Sequence, residues 1–356
     1  MVPGYVMISQ STAQKNLEEN RTMSVWPIFS IRKILGTGWQ IEVTNYLNDH
    51  FGLRNQLIAI NSAVHIDMLG LSPSKKVILG KDGFMFYGDK SIDDYKGLWP
   101  LDDEQLEIIR INLVETEQRL AQRGVPFVVL FVPSKHSIYD EYLPDSIRQV
   151  RPTRRIDQVI DYMSAHSDIQ MIDTRDALRE YKDRGLLYYK TDTHWNEYGS
   201  FVAYRELMKY LKQNIFPEID ILDFDDFSIN NLDCEGGDLS RMIYWSTHVD
   251  DVCVRLNPKY ERTHVEQEVG FENPNPTRVL VSQHNDEAAD RDMLLFRDSF
   301  ANALALYIPR NFKNTTYVWS YDVQDYIVEE QDADIVILEV LERYIQDLIP
   351  LELREK

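Results

Sequence analysis

The sequence predicts an α/β fold of three layers, in which helices cover both faces of a mainly parallel central sheet. Three observations predict it. Short apolar runs rich in branched and aromatic residues, such as Val125 to Val132 (VPFVVLFV) and Asp334 to Val340 (DIVILEV), read as strands buried on both faces. Segments with apolar residues at helical spacing alternate with those runs along most of the chain. Strand and helix taking turns in this way builds a parallel sheet with helices on its faces. The composition agrees: 44% hydrophobic and 27% charged residues over 356 positions describe one large globular domain or two ordinary ones, without repeats or low-complexity tracts.

Each element follows from local chemistry. Met1 to Ile8 is apolar, lacks the basic start of a signal peptide and runs into the polar stretch Ser9 to Arg21. Residues 1–23 therefore read as a tail, either the stub of a removed signal anchor or an ordinary frayed start, ahead of one domain over 24–356. From Gln40 to Leu69, Ile41, Tyr46, Leu47, Phe51, Leu57, Ile58, Val64 and Leu69 recur near helical spacing and predict a helical packing surface. Lys81-Asp82-Gly83 between two apolar runs makes Val77 to Tyr87 a hairpin. A helix over Asp102 to Arg123 feeds the strand Val125 to Val132. A helix over Arg154 to His166, a strand at Ile169 to Ile172 and a helix around Thr174 to Asp183 follow, the last ending at Arg184-Gly185.

Tyr188 to Trp195 leads into an amphipathic helix, Glu197 to Leu211. Residues 214–275 read as irregular and acidic, the core of an insertion reaching to about 290. The chain then resumes with a strand at Met293 to Phe296, a helix at Ser299 to Tyr307, a strand at Thr316 to Trp319, a helix at Val323 to Glu330 and the strand Asp334 to Val340. No linker cuts this series into independent domains.

Charge narrows the partners. Fifty-eight acidic against 38 basic residues leave a formal charge of −20, which repels phosphate backbones and anionic membranes and excludes nucleic acid as a partner. No apolar run approaches the roughly 18 residues of a spanning helix, so a membrane link is expected only through a missing N-terminal anchor. Cys234 and Cys253, nineteen positions apart, belong to no zinc-spaced cluster, and no motif asks for a metal or cofactor. They either close a loop in an oxidising compartment, worth roughly 3 kcal/mol, or are two unpaired thiols.

Chemistry concentrates at two places. In a parallel sheet, reactive side chains belong where strands turn into helices. Ser299 stands there, after Met293-Leu294-Leu295-Phe296 and Arg297-Asp298, where helix amides also point and an oxyanion would rest. By position alone a plain helix cap is the first reading of Ser299. The second place is Thr191-Asp192-Thr193-His194-Trp195, in which a carboxylate two residues before a histidine can orient the imidazole and leave the other nitrogen free as a base. Alone, that spacing also suits a metal pair or a packed histidine. His50, His65, His136, His166, His248, His264 and His284 lack such a context.

Order along the chain adds what single motifs lack. Glu19-Asn20-Arg21, Asn48 to Arg54 (NDHFGLR), Ser72 to Tyr87, Val132-Pro133-Ser134-Lys135 with Ile138-Tyr139 and Tyr142-Leu143-Pro144, Tyr189 to Trp195 (YKTDTHW), Gly237-Asp238-Leu239, Arg297-Asp298-Ser299-Phe300 and Asp334 to Arg343 occur in the order seen in the alginate O-acetyltransferase family of AlgJ and AlgX type. The chain resembles that family from about residue 19 to 345, and the DTHW and DSF motifs carry most of the weight.

The resemblance implies an SGNH hydrolase-like fold and a periplasmic or other extracytoplasmic enzyme, possessing an inner-membrane anchor in full length. Such an enzyme acetylates hydroxyls of an exopolysaccharide with acetyl units supplied by a membrane-bound acyltransferase. It further implies Ser299 as nucleophile, His194 as base and then acid, and Asp192 as the residue orienting the imidazole. Ser134, where the family often has Asn, and Arg297, where it commonly has Gly, are departures beside the expected cleft. Arg297, Lys135, Ser134, Asp238 and Tyr321 are candidate substrate contacts, set against ordinary solvated, turn or core roles, and Trp195 is expected to pack and fix the His194 loop. Two rival functions share these residues: a carbohydrate acetylesterase with the same triad, and a non-catalytic glycan-binding subunit of a secretion complex.

Overall fold

In a computed structural model of the chain, the residues described are 15–16, 21–27, 38–260, 266–271, 279–350 and 353. Met1 to Ile8, read above as an anchor stub or frayed start, lies outside them. The chain divides into two compact units, both discontinuous: residues 1–88, 190–193 and 233–251 form one, and residues 89–189, 194–232 and 252–356 the other.

In the first unit the hairpin is formed as the sequence predicts, Val77–Leu79 pairing antiparallel with Met85–Tyr87. Asp82 and Gly83 between them take positive φ, which the D-G dipeptide tolerates. Val77 and Met85 pack with Leu239, Ile243 and Trp245 in a small core. The expected helical surface exists, as Gly38–His50 and Arg54–Ala63 with a π turn Val64–Met68, but it is turned the other way. Tyr46 is buried, whereas Ile41, Leu47, Phe51, Leu57, Val64 and Leu69 are exposed. The second helix docks through Ala63, which packs on the small core, and through polar groups: Ser62 Oγ donates to the Ile243 carbonyl and Arg54 Nη1 to the Tyr244 hydroxyl (2.9 Å). Periodicity reveals a stripe but not which side of the helix is covered.

The second unit holds a seven-stranded sheet made of β1 (Phe127–Val132), β2 (Gln170–Asp173), β3 (Glu266–Phe271), β4 (Val279–His284), β5 (Ala289–Arg297), β6 (Phe312–Trp319) and β7 (Ile335–Leu341). Their spatial order is β2-β1-β7-β5-β6-β4-β3. The first five are mutually parallel, and β4 and β3 add on antiparallel. All residues of β1 and β7 are buried, as expected of central strands with helices on both sides. Helices Asp103–Ala121, Arg155–His166 and Asp325–Gln331 contribute Leu113, Val159 and Ile327 to one core with Val129, Leu294 and Val336.

Several expectations are corrected in extent. β5 starts at Ala289, not Met293, because its first half is the charged run Asp290-Arg291-Asp292 and shows no apolar signal. Phe227–Glu235 and Asp250–Pro258 are strands inside the segment read as irregular; the first is almost wholly exposed, so it lacks alternation. The helix after Ser299 spans only Ala301–Leu304, and a 3-10 turn holding Pro309 follows at Ile308–Arg310. Both cysteines are disulfide-bonded.

Candidate active site

Parallel neighbours β1, β7 and β5 end at the same edge of the sheet, and the Asp298-Ser299 turn grows from that edge. Beyond β5 the Asp298 amide donates to Glu339 Oε2 of β7 at 2.9 Å. Asp298 Oδ1 in turn accepts from the Phe300 amide (2.7 Å), and its Oδ2 from the Tyr321 hydroxyl. The side chain capping this turn is thus Asp298, not Ser299. Freed from that role, the half-buried Ser299 presents Oγ 2.8 Å from His194 Nε2. The cap position of the following helix falls on Phe300 and Ser299 Oγ faces His194, not a helix amide, so the plain-cap reading of Ser299 is corrected.

A buried acidic layer lies under the turn. Glu339 is fully buried, and that burial pushes its carboxyl well above the usual range, with repulsion from Asp298 adding to the effect. From that buried position it accepts from the Asp298 amide. Burial, then the Asp298 and Glu339 charges, likewise keep the Tyr321 hydroxyl protonated. Arg297 donates from Nη1 to the Asp298 carbonyl (3.0 Å) and Asn302 Oδ1 (2.7 Å), and its guanidinium lies 4.7 Å from the Trp319 ring centre.

On the histidine side of the second unit, the Trp195 indole donates to the Phe300 carbonyl at 3.0 Å, and the His194 and Phe300 rings are 4.9 Å apart. Trp195 is buried and ties the residue after the histidine to the residue after the serine. Lys135 Nζ donates to the Tyr189 carbonyl (3.0 Å) and the Tyr188 hydroxyl to the Pro133 carbonyl (2.7 Å). The end of β1 therefore braces the strand-like arm before the histidine. Asn196 caps the helix Glu197–Asn214 by accepting from the Tyr198 and Gly199 amides. Next to Lys135, the Ser134 amide donates to buried Glu342 (2.9 Å), which also receives Ser137 Oγ and pairs with Arg154 (3.1 Å).

Residues 190–193 belong to the first unit and are organised there by carboxylates. Asp251 accepts from the Lys190 and Thr191 amides (2.9 and 2.7 Å) and from Thr191 Oγ1. Asp238 accepts from the Thr193 amide (2.7 Å) and Thr193 Oγ1 (2.6 Å), while its own amide donates to Asp192 Oδ2 at 2.9 Å. The glycine before Asp238, which opens the short helix Asp238–Met242, has a steric reason: a Cβ on Gly237 would lie 2.4 Å from Asp192 Cβ. Of the five candidate substrate contacts, Arg297, Lys135, Asp238 and Tyr321 engage other protein groups through their side chains. Only the buried Ser134 hydroxyl makes no hydrogen bond among the described residues. Asp251, Glu339 and Glu342 were not singled out from sequence; a glutamate inside the apolar run DIVILEV was the one available signal.

The family described as "SGNH hydrolase-like domain, acetyltransferase AlgX" matches residues 77–283 of the chain. The chain belongs to that family. The match includes Asp192 and His194 and ends before Ser299. The chain is also similar to the probable alginate O-acetylase AlgJ of Pseudomonas aeruginosa, 26% identical over 151 residues that cover 42% of this chain and 36% of that one. The protein of the same name in Pseudomonas putida is 30% identical over 134 residues, 37% of this chain and 32% of that one. The matched stretch thus spans about a third of those relatives. Among solved structures, Bacillus cereus PatB1 superposes with a TM-score of 0.58 at 16% identity, covering 75% of this chain and 96% of that one, which shows a shared fold.

Proposed function

We propose that this SGNH hydrolase-like protein is an O-acetyltransferase that carries acetyl through Ser299 onto hydroxyls of an exopolysaccharide. The observation carrying the reading is the 2.8 Å approach of Ser299 Oγ to His194 Nε2 at the sheet edge of a chain of this family. In the first half-reaction His194 takes the hydroxyl proton as Oγ attacks the acetyl carbonyl, then returns it to the departing donor group. In the second, a sugar hydroxyl loses its proton to His194, attacks the acetyl-serine, and Ser299 leaves reprotonated. Asp192, two residues before the histidine, is assigned to orient the imidazole and stabilise its cation.

The tetrahedral oxyanion needs amide donors. Asp298 already occupies the Phe300 amide, whereas the Ser299 amide makes no hydrogen bond among the described residues and is assigned to the oxyanion. The acetyl unit is assigned to a membrane-bound acyltransferase and the protein to the periplasm or another extracytoplasmic space. The disulfide-bonded state of both cysteines supports an oxidising location. The alginate O-acetylase relatives support an exopolysaccharide acceptor.

The deciding experiment incubates the protein with an activated acetyl ester and oligosaccharides, and follows acetylated sugar, free acetate and the mass of the Ser299 peptide. Acetyl on Ser299 and on the sugar, both absent with Ser299→Ala, is the expected result. Acetate without acetylated sugar would make the protein an esterase. Unchanged sugar acetylation by Ser299→Ala would end the serine mechanism.

A further inference from the structure

The second unit carries a cavity of about 350 Å³ that the serine chemistry does not use. That volume is at the lower end of small-molecule sites, which run about 300–1,000 Å³. Its walls are aromatic and aliphatic, with Tyr260, Phe227 and Tyr307 among them, and its polar groups are Gln283, Arg310 and Glu197. Glu197 is already satisfied, because its carboxylate receives Arg255 Nη1 and the Leu256 amide. The other two are not. Gln283 is 91% buried, yet its carboxamide oxygen makes no hydrogen bond among the described residues. Arg310 is exposed, lies 5.6 Å from the Tyr260 ring centre and has no carboxylate partner among the described residues.

A buried carboxamide with unspent hydrogen-bonding capacity is costly unless something meets it. Aromatic faces beside a carboxamide and a guanidinium that has no carboxylate partner among the described residues complement a sugar ring, which offers an apolar C–H face and a rim of hydroxyls. The cavity also adjoins the chemistry along the chain. Glu197 is three residues after His194, so their Cα atoms are within about 11 Å, and Ala305 to Tyr307 follow directly on the helix after Ser299.

We propose that this cavity is a glycan subsite that seats one ring of the acceptor chain, with Tyr260 as platform and Gln283 and Arg310 as hydrogen-bonding partners. It deepens the transferase reading and rests on it only for the name acceptor; sugar binding is tested separately from acetyl transfer.

The experiment titrates Ser299→Ala protein, which cannot turn over, with a neutral β-glucan hexasaccharide and with a hexuronate hexasaccharide by calorimetry. It repeats both titrations in Ser299→Ala carrying Tyr260→Ala or Arg310→Ala, changes at the rim that leave the sheet intact. Hydrolysis of a small acetyl ester is measured with the two rim changes in otherwise wild-type protein. At least one oligosaccharide is expected to bind, each rim change to weaken it about tenfold, and ester hydrolysis to stay within twofold. No binding of either oligosaccharide at millimolar concentration, or unchanged affinity in both rim variants, overturns the subsite and leaves the transferase reading intact. Binding that both rim changes weaken, in a protein that hydrolyses no acetyl ester, upholds the subsite and sinks the transferase reading.

Discussion

The serine and the histidine that meet at 2.8 Å are held by opposite kinds of structure. Ser299 hangs from the middle of a seven-stranded sheet, and its turn is fixed from beneath by Glu339, a buried carboxyl on the neighbouring strand whose burial pushes it well above the usual range. His194 follows four residues that belong to the other compact unit, where Asp238 and Asp251 organise them through amides and threonine hydroxyls. The position of Ser299 is therefore a by-product of the core. The residues just before the histidine are ordered by polar bonds in a loop rather than by an apolar core. Changes on the histidine side should then lower turnover with little loss of stability, and changes under the serine should affect both.

The largest effect tests the shared point. Ser299→Ala should lower acetyl transfer by about 10⁴-fold or more, since removing the nucleophile of such a unit leaves only binding and oxyanion contributions. Its melting temperature should stay within about 2 °C of wild type, because the hydroxyl caps no helix. Steady-state rates and a thermal melt check both halves.

Next comes the loop. Gly237→Val places a side chain where even a Cβ would be 2.4 Å from Asp192 Cβ, so Asp192 or the glycine backbone must shift. If Asp192 orients the imidazole as proposed, a displacement near 1 Å is expected to cost about 10²-fold in kcat. Thr193→Val keeps the shape but deletes the hydroxyl bond to Asp238, and about a tenfold fall in kcat is expected with KM held. Should either variant unfold the sheet, seen as lost near-ultraviolet dichroism, the separation between loop and core would be wrong.

The same contrast explains what was legible in sequence. DTHW and DSF announce themselves because reactive residues sit at junctions between periodic segments, where Asp, Ser and His stand out against apolar runs. The central strands were legible for the same reason. Their supports were not. Glu339 lies inside DIVILEV, where a single glutamate in a buried strand is the whole signal, and Asp251 is the second residue of a strand with no motif at all. Asp298 and Ser299 are adjacent, and only the fold shows which of the two caps the turn. The stripe from Ile41 to Leu69 was read correctly as helical and incorrectly as packed, since period gives the element and not its neighbour.

The smallest effect is the most specific to the serine side. Glu339→Gln keeps an acceptor for the Asp298 amide and should change kcat by no more than a few-fold, whereas Glu339→Leu leaves that buried amide unpaired and should cost about 1–3 kcal/mol of stability. The Gln variant also reports the protonation of the native residue. Its folded-state pKa is raised above the unfolded value, chiefly by burial, so the native state binds more protons than the unfolded state once pH exceeds about 4.3. The contribution is therefore fully present below that pH and declines as pH rises. Replacing the carboxyl with an amide removes this decline. Urea titrations between pH 5 and 8 should show a flatter stability profile for Glu339→Gln than for wild type, and parallel profiles would mean that Glu339 is ionised beneath the nucleophile.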